Sequence, residues 1–362
     1  MKIHLDESNI NLPVAHSHQS QARTLASNDD GNLVQSISLQ GGCIGPLRSS
    51  LTILKDGTSA TEYTCKDLSD ANYIFAPQGG SLKEDVSNTY AMEVKATMPR
   101  TRYRHSSSEI GGMLWVIGGV DALHNIVDEI DVYDVIRDEW ITFDEGLSTI
   151  ELPDNSKYGV MEHCSFILGA QIYLVGGFDH NIQSVGYTIA IDAIQSMNEH
   201  KLMYKVRSSM NVPRGACGAT QFGNTAMVAG GFSSEDGYCE AIQSVELYNL
   251  QHDHWSVMQT PLEIGRARPN LIYSSEGTNP VVYAIGGERR GMFDLATGIC
   301  KGDTIGHERK EMNTLENNKM LPYRLTYPVN QVEIMAIEED INLSTWRVLQ
   351  VSNTHDSSWR RS

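Results

Sequence analysis

A short apolar run that closes on two glycines recurs along this chain, and it constrains the fold more than any other feature. Four copies are clear, at residues 114–119, 172–177, 226–231 and 281–287. Their glycine pairs are Gly118-Gly119, Gly176-Gly177, Gly230-Gly231 and Gly286-Gly287, spaced 58, 54 and 56 residues apart. Weaker copies end at Gly41-Gly42 and Gly79-Gly80, with spacings of 38 and 39. A fixed period of this size marks one small supersecondary unit used repeatedly, each copy burying its apolar face against the next.

Two further marks keep step with the glycines. Tyr133-Asp134 follows Gly119 and leads to Trp140, and Tyr248 follows Gly231 and leads to Trp255. Behind Gly287, after an interruption, residues 332–335 lead to Trp346. Behind Gly177 the Tyr-Asp place reads Ile191-Asp192, and Tyr204 stands near the Trp place. Thirteen residues before the first glycine stand His105, His163 and Cys217, each opening a stretch of small residues. The apolar runs are short and broken by polar turns about every 10 residues, a strand rhythm and not a helical one. Each unit therefore reads as four antiparallel strands. Glycine pairs allow a tight turn and leave space for a large ring to pack on them, and Trp and Tyr fill the wedge between successive sheets.

The chain has 362 residues, 40% of them hydrophobic, and 28 Lys and Arg against 45 Asp and Glu, for a formal net charge of -17. Such an acidic chain repels phosphate backbones and anionic surfaces, so nucleic acid and membranes are not expected partners. No apolar stretch approaches the ~18 residues of a membrane span. Residues 1–20 read as a polar segment without a leader's apolar core, so the expected location is cytoplasmic, or secreted if a leader is missing. The six cysteines show no CxxC spacing. They are expected to be reduced and mostly buried, with Cys217 and Cys239 the pair to examine first in a secreted protein.

The order Arg-x-x-His, apolar-Gly-Gly, Val-x-x-Tyr-Asp, Trp resembles the kelch repeat, and residues 99–140 follow that pattern almost throughout. The resemblance implies an all-β, kelch-type β-propeller. Six glycine pairs suggest six blades of up to four antiparallel strands over residues 21–350, with an insertion at 292–323 and a tail at 351–362; the alternative is that the two early, closely spaced pairs belong to one full blade plus strands that close the ring. The centre of the insertion, 307–319, is charged and suggests a short helical segment. Gly118, Gly119, Gly176, Gly177, Gly230, Gly231, Gly286, Gly287, Tyr133, Tyr248, Trp140, Trp255 and Trp346 are then structural marks with no catalytic meaning.

Kelch-like propellers present loops at one face of the ring. Arg102 and Arg214 stand sixteen residues before their first glycines, and Arg266 or Arg268 fills the matching place. In some kelch adaptors this position binds acidic peptides, so the resemblance implies a binding site made of Arg102, Arg214 and Arg266, rimmed by Tyr103, Tyr158, Phe178 and Phe232. The alternative is that these arginines cap carbonyls of a neighbouring blade. Asp121 with His124, and Asp179 with His180, have no standard metal-ligand spacing and read as solvated loop residues. His105 and His163 read as hydrogen-bonded core histidines, and the acidic run from Asp128 to Glu139 as the wet face of blade strands. The expected function is a non-catalytic module that binds a protein or acidic peptide, with no cofactor and no metal. Only a short polar stretch precedes the first blade, so a ligase-adaptor role is not expected from this chain alone. The alternative is an enzyme on the same fold, of the kind represented by copper-radical galactose oxidases and sialic acid epimerases.

Overall fold

The computed structural model describes residues 95–289 and 329–349 with their side chains, apart from 124, 142, 144–147, 154–155, 235–240, 276–278, 330, 339–340 and 342–343. Between 16 and 94, and between 290 and 328, it describes strand backbones only. Within these bounds the molecule is built from five four-stranded antiparallel sheets. The first holds Ser20–Ser27, Leu33–Gln40, Asn72–Pro77 and Tyr90–Lys95. The second holds Ser106–Ile110, Met113–Ile117, Asp131–Asp134 and Glu139–Ile141. The third holds Cys164–Leu168, Gln171–Val175, Thr188–Asp192 and Tyr204–Arg207, and the fourth Gly218–Phe222, Thr225–Ala229, Val245–Asn249 and His254–Val257. The fifth holds Asn270–Ser274, Val281–Ile285, Val332–Ala336 and Trp346–Val348. First strands of successive sheets lie beside one another in chain order, which makes them the inner strands of propeller blades. Six glycine pairs correspond to five such sheets because the two early pairs follow Leu33–Gln40 and Asn72–Pro77, strands of the same first sheet.

The apolar residues of each blade are shared with the next. One buried cluster joins Trp115 and Val132 of the second blade to Ile172, Leu174 and Ile189 of the third. Another joins Tyr173 and Val175 to Val228, Tyr248 and Trp255, and a third joins Met227 and Val245 to Val282 and Met335. The outer aromatics hold the same register in every copy: Tyr133 faces Trp140, Tyr248 faces Trp255, Met335 faces Trp346 and Ile191 faces Tyr204. Tyr204 thus occupies the Trp place, as its spacing suggests. The indole of Trp255 donates back to Thr188 Oγ1 and Ser208 O of the preceding blade, at 3.0 Å each. Trp140 likewise donates to Ala96 O at 2.8 Å, but it is only half-buried, whereas Trp255 and Trp346 are buried.

The glycine pairs serve a different contact from the ring packing expected of them. The N–H groups of Gly119, Gly177 and Gly231 donate to Val160 O, Arg214 O and Arg266 O of the next blade, at 2.8 to 3.0 Å. A Cβ on Gly230, which has φ +71°, would stand 2.1 Å from Arg266 O. The pair is glycine because a neighbouring backbone passes where a side chain would start.

Departures from the repeat are local. The helix Ala193–Glu199 interrupts the third blade's outer hairpin, capped by the Asp192 carboxylate and ended by His200 at φ +50°. In the insertion the structure describes a hairpin of Met292–Asp294 with Ile299–Lys301, and at its base Glu288–Arg290 pairs with Thr326–Pro328. The expected helical segment at 307–319 and the tail at 351–362 lie outside the described residues, as do Gly41-Gly42, Gly79-Gly80, His124 and Cys239. The acidic run is not one wet face: Asp131 and Asp134 are buried. The expectation of reduced cysteines is corrected at one place, where Cys164 and Cys217 form a disulfide with Cα atoms 5.8 Å apart.

Candidate functional site

Antiparallel pairing sends the loops before the first strand, after the second strand and after the fourth strand to one end of every blade. The two hairpin turns go to the other end. The loop end is therefore the face on which a partner or substrate meets varied side chains. Arg102, Arg214 and Arg266 do reach equivalent places at this end, yet all three are fully buried. Arg214 pairs with Glu246 at 3.0 Å and donates to Gly230 O and Ser244 O. Arg266 pairs with Glu333 and donates to Gly286 O and Gln331 O, and Arg102 pairs with Asp131 and donates to Gly118 O and Glu129 O. Each guanidinium thus ties the first glycine to the third strand of its own blade. Burial pulls the Arg102 and Arg214 guanidiniums below their ordinary range, and the Asp131 and Glu246 charges oppose it.

The third blade shows what that motif is for. Val160 stands where the second, fourth and fifth blades have arginine, and Ile189 stands at the register place of Asp131, Glu246 and Glu333. Both are buried in one apolar cluster. The hydroxyl of Tyr158 donates to Gly176 O at 3.4 Å, in place of the arginine bond to the first glycine. An ion pair and an apolar pair serve the same position, as expected when either can fill a dry, well-packed space. The arginines are therefore structural and not a positive mouth. Tyr103, Phe178 and Phe232 are also corrected: with Val120, Met161 and Ala267 they form a buried cluster beneath the loops, not a rim. Tyr158 lies in the apolar cluster between the second and third blades.

The accessible charges lie two residues further on. Arg104, Glu162, Ala216 and Arg268 each precede an inner strand, and each has left-handed backbone, with φ of 60°, 55°, 55° and 52°. Four non-glycine residues held this way signal a constraint shared by the repeats. The constraint is a chain of backbone bonds from blade to blade: Glu162 N–H to Arg104 O, Ala216 N–H to Glu162 O, and Arg268 N–H to Ala216 O. At this neck the Glu162 carboxylate forms an ion pair with Arg104 at 3.0 Å and accepts from Arg268 at 2.6 Å, and Arg268 also pairs with Glu288. Arg104 and Arg268 keep 29% and 31% of their side chains exposed, while Glu162 keeps 6%. Burial works against the Arg268 charge, but Glu162 and Glu288 outweigh it and hold the guanidinium above its ordinary range.

The remaining polar candidates are accounted for by local geometry. Asp179 Oδ1 accepts from Asn181 N and Gln183 N of its own loop, and Asp121 Oδ1 does the same with Leu123 N and Asn125 N. His180 turns away from Asp179 to meet Asp128 of the preceding blade at 3.1 Å. Gly159 leaves the room for that pair. His163 is buried, 2.6 Å from Ser106 Oγ, and burial lowers its pKa to about 4. Among the described residues no group of three or more His, Cys, Asp or Glu is arranged to hold a metal, and no helix is long and apolar enough to cross a membrane.

The repeat geometry now meets its comparisons. The Kelch motif family model matches residues 101–143 and 213–262, which are the second and fourth blades with their arginines and glycine pairs. The chain carries kelch repeats. Its kelch relatives include Alpha-scruin of Limulus polyphemus, 24% identical over 171 residues, covering 46% of this chain and 17% of that protein. Another is the Influenza virus NS1A-binding protein of Homo sapiens, 29% identical over 102 residues, covering 28% of this chain and 14% of that one. The match thus spans less than a fifth of either relative. Among solved structures, that of YjhT has the same fold, with a TM-score of 0.50 and 14% identity over 78% of this chain and 74% of its own. The kelch blade between the two matched segments is the one in which the arginine pair is replaced by Val160 and Ile189.

Proposed function

We propose that this kelch protein is a non-catalytic platform that binds another protein on its loop face. The observation that carries the reading is the division of labour at that face. The consensus arginines and aromatics are spent on the ring, and what is left exposed is a half-open neck of Arg104 and Arg268 surrounded by loops bearing Leu123 and His180. Exposed apolar and polar side chains on a rigid scaffold suit a protein partner. Two arginines face two glutamates at the neck, so the charge balances. The reading therefore no longer favours an acidic peptide over other protein partners. One relative carries protein binding in its name, the NS1A-binding protein.

The test is reconstitution. A partner captured from extract is purified and mixed with the intact chain. The reading expects a stoichiometric complex that needs no added metal or small molecule. Tightly bound copper near one per chain in the purified protein would contradict it in favour of an oxidase.

A further inference from the structure

One inter-blade position is filled by three different chemistries. The residue that opens one blade's inner strand meets the residue three places after the arginine position in the next blade. Ser106 meets His163 through a hydrogen bond of 2.6 Å. Gly218 lies against Pro269, whose carbonyl oxygen is 2.5 Å from where a Cβ would be. Between these two joints, Cys164 and Cys217 meet as a disulfide across 53 residues of chain. The cysteines thus occupy a seam whose two described counterparts close without a covalent bond.

The seam adjoins the neck. The carbonyl of Glu162, two residues before Cys164, accepts from the N–H of Ala216, the residue before Cys217, at 2.7 Å. Cys164 opens an inner strand and is buried, whereas Cys217, just before the next inner strand, is only partly buried. Cys217 is therefore the more accessible of the two sulfurs to a small thiol or disulfide.

We propose that Cys164 and Cys217 form a redox-reversible clasp that locks the third blade to the fourth and fixes the neck above it. Closure is thiol–disulfide exchange with a small disulfide such as glutathione disulfide. The Cys217 thiolate attacks that disulfide, forms a mixed disulfide and releases one glutathione thiolate. The Cys164 thiolate then attacks Cys217 Sγ, forms the Cys164–Cys217 bond and releases the second glutathione. Two protein thiols lose two protons and two electrons, and glutathione disulfide gains both as two thiols. Opening is the reverse. Loss of the cross-link returns freedom to the unfolded chain and loosens the seam.

The test uses the full chain equilibrated in glutathione buffers of graded ratio, followed by alkylation and peptide mass spectrometry. Cys164 and Cys217 are expected to become alkylatable together, at one common ratio. The reduced form is expected to melt about 5 °C lower than the oxidised form. The Ala216 amide should exchange with deuterium at least about tenfold faster once the clasp is open. In Cys164→Ser/Cys217→Ser the melting temperature should not respond to the buffer ratio. Cys164 and Cys217 alkylating independently at every ratio would overturn the proposal, and that readout needs no variant. An Ala216 exchange rate unchanged by reduction would overturn the link to the neck.

Discussion

Arg214 and Glu246 are both fully buried, so neither tolerates the loss of the other. Replacing Arg214 by Ala leaves a carboxylate without its charge partner, and the expected cost is about 3–5 kcal/mol in denaturant titration. The third blade shows the remedy. Arg214→Val combined with Glu246→Ile copies its Val160 and Ile189, and should return stability to within about 1–2 kcal/mol of the parent. Additive losses in the double variant would contradict the equivalence of the two blades. His163 gives a pH signature. Its folded pKa of about 4 lies below the ordinary 6.5, so the unfolded chain takes up the proton first. Stability is complete above about pH 6.5 and declines as pH falls toward 4, by on the order of 3 kcal/mol. His163→Gln should flatten that part of the profile relative to the parent, and parallel profiles would assign the decline to other groups. The pairing of the arginines was open to inspection in the sequence, because Asp131, Glu246 and Glu333 recur at one place in the repeat. It was missed because an acidic residue near the start of a strand looks solvated when read by alternation. Only the fold shows that this end of the strand is covered by the loop that leads into the same blade's inner strand.

The blade is held by contacts that cross from one element to the next. Trp255 closes the seam to the third blade with its ring and its N–H, and Trp255→Ala should cost about 3–5 kcal/mol. A melting temperature within a degree or two of the parent would show the seam to be held elsewhere. Gly230→Ala should be comparably damaging, since its Cβ would collide with the Arg266 carbonyl from a left-handed backbone. Gly223, also left-handed, has open space around it. Gly223→Ala therefore isolates the backbone cost, expected at about 1 kcal/mol in the same measurement. Strand order and the place of Tyr204 were legible from spacing, because cross-strand register preserves the interval between aromatic marks. The helix Ala193–Glu199 was not legible. Asp192 serves as a helix cap where its repeat counterpart Asp134 holds a tight turn with Ile136 and Arg137, and both uses begin from the same residue type.

The whole molecule is a propeller in which the repeat consensus has been consumed by the ring, leaving recognition to residues outside it. The four clear glycine pairs identified four blades. The two early pairs were misleading in number, because two strands of one sheet can each end on glycines. The loop face could be located from strand direction alone, whereas the neck could not. Arg104, Glu162, Ala216 and Arg268 share a backbone conformation and no side-chain chemistry, so no motif marks them. The central claim is that a protein partner docks on the loop face, and two exposed apolar residues on opposite faces test it most directly. Leu123 is 79% exposed in a loop after a second strand, and Ile136 is 75% exposed in an outer hairpin turn at the other end. Neither holds the fold, so Leu123→Glu and Ile136→Glu should both melt like the parent. The dissociation constant of the reconstituted complex is then measured for both variants. The account predicts at least about a tenfold weakening for Leu123→Glu, equivalent to about 1.4 kcal/mol, and none for Ile136→Glu. Weakening by Ile136→Glu with Leu123→Glu unchanged would place the partner on the opposite face and contradict it.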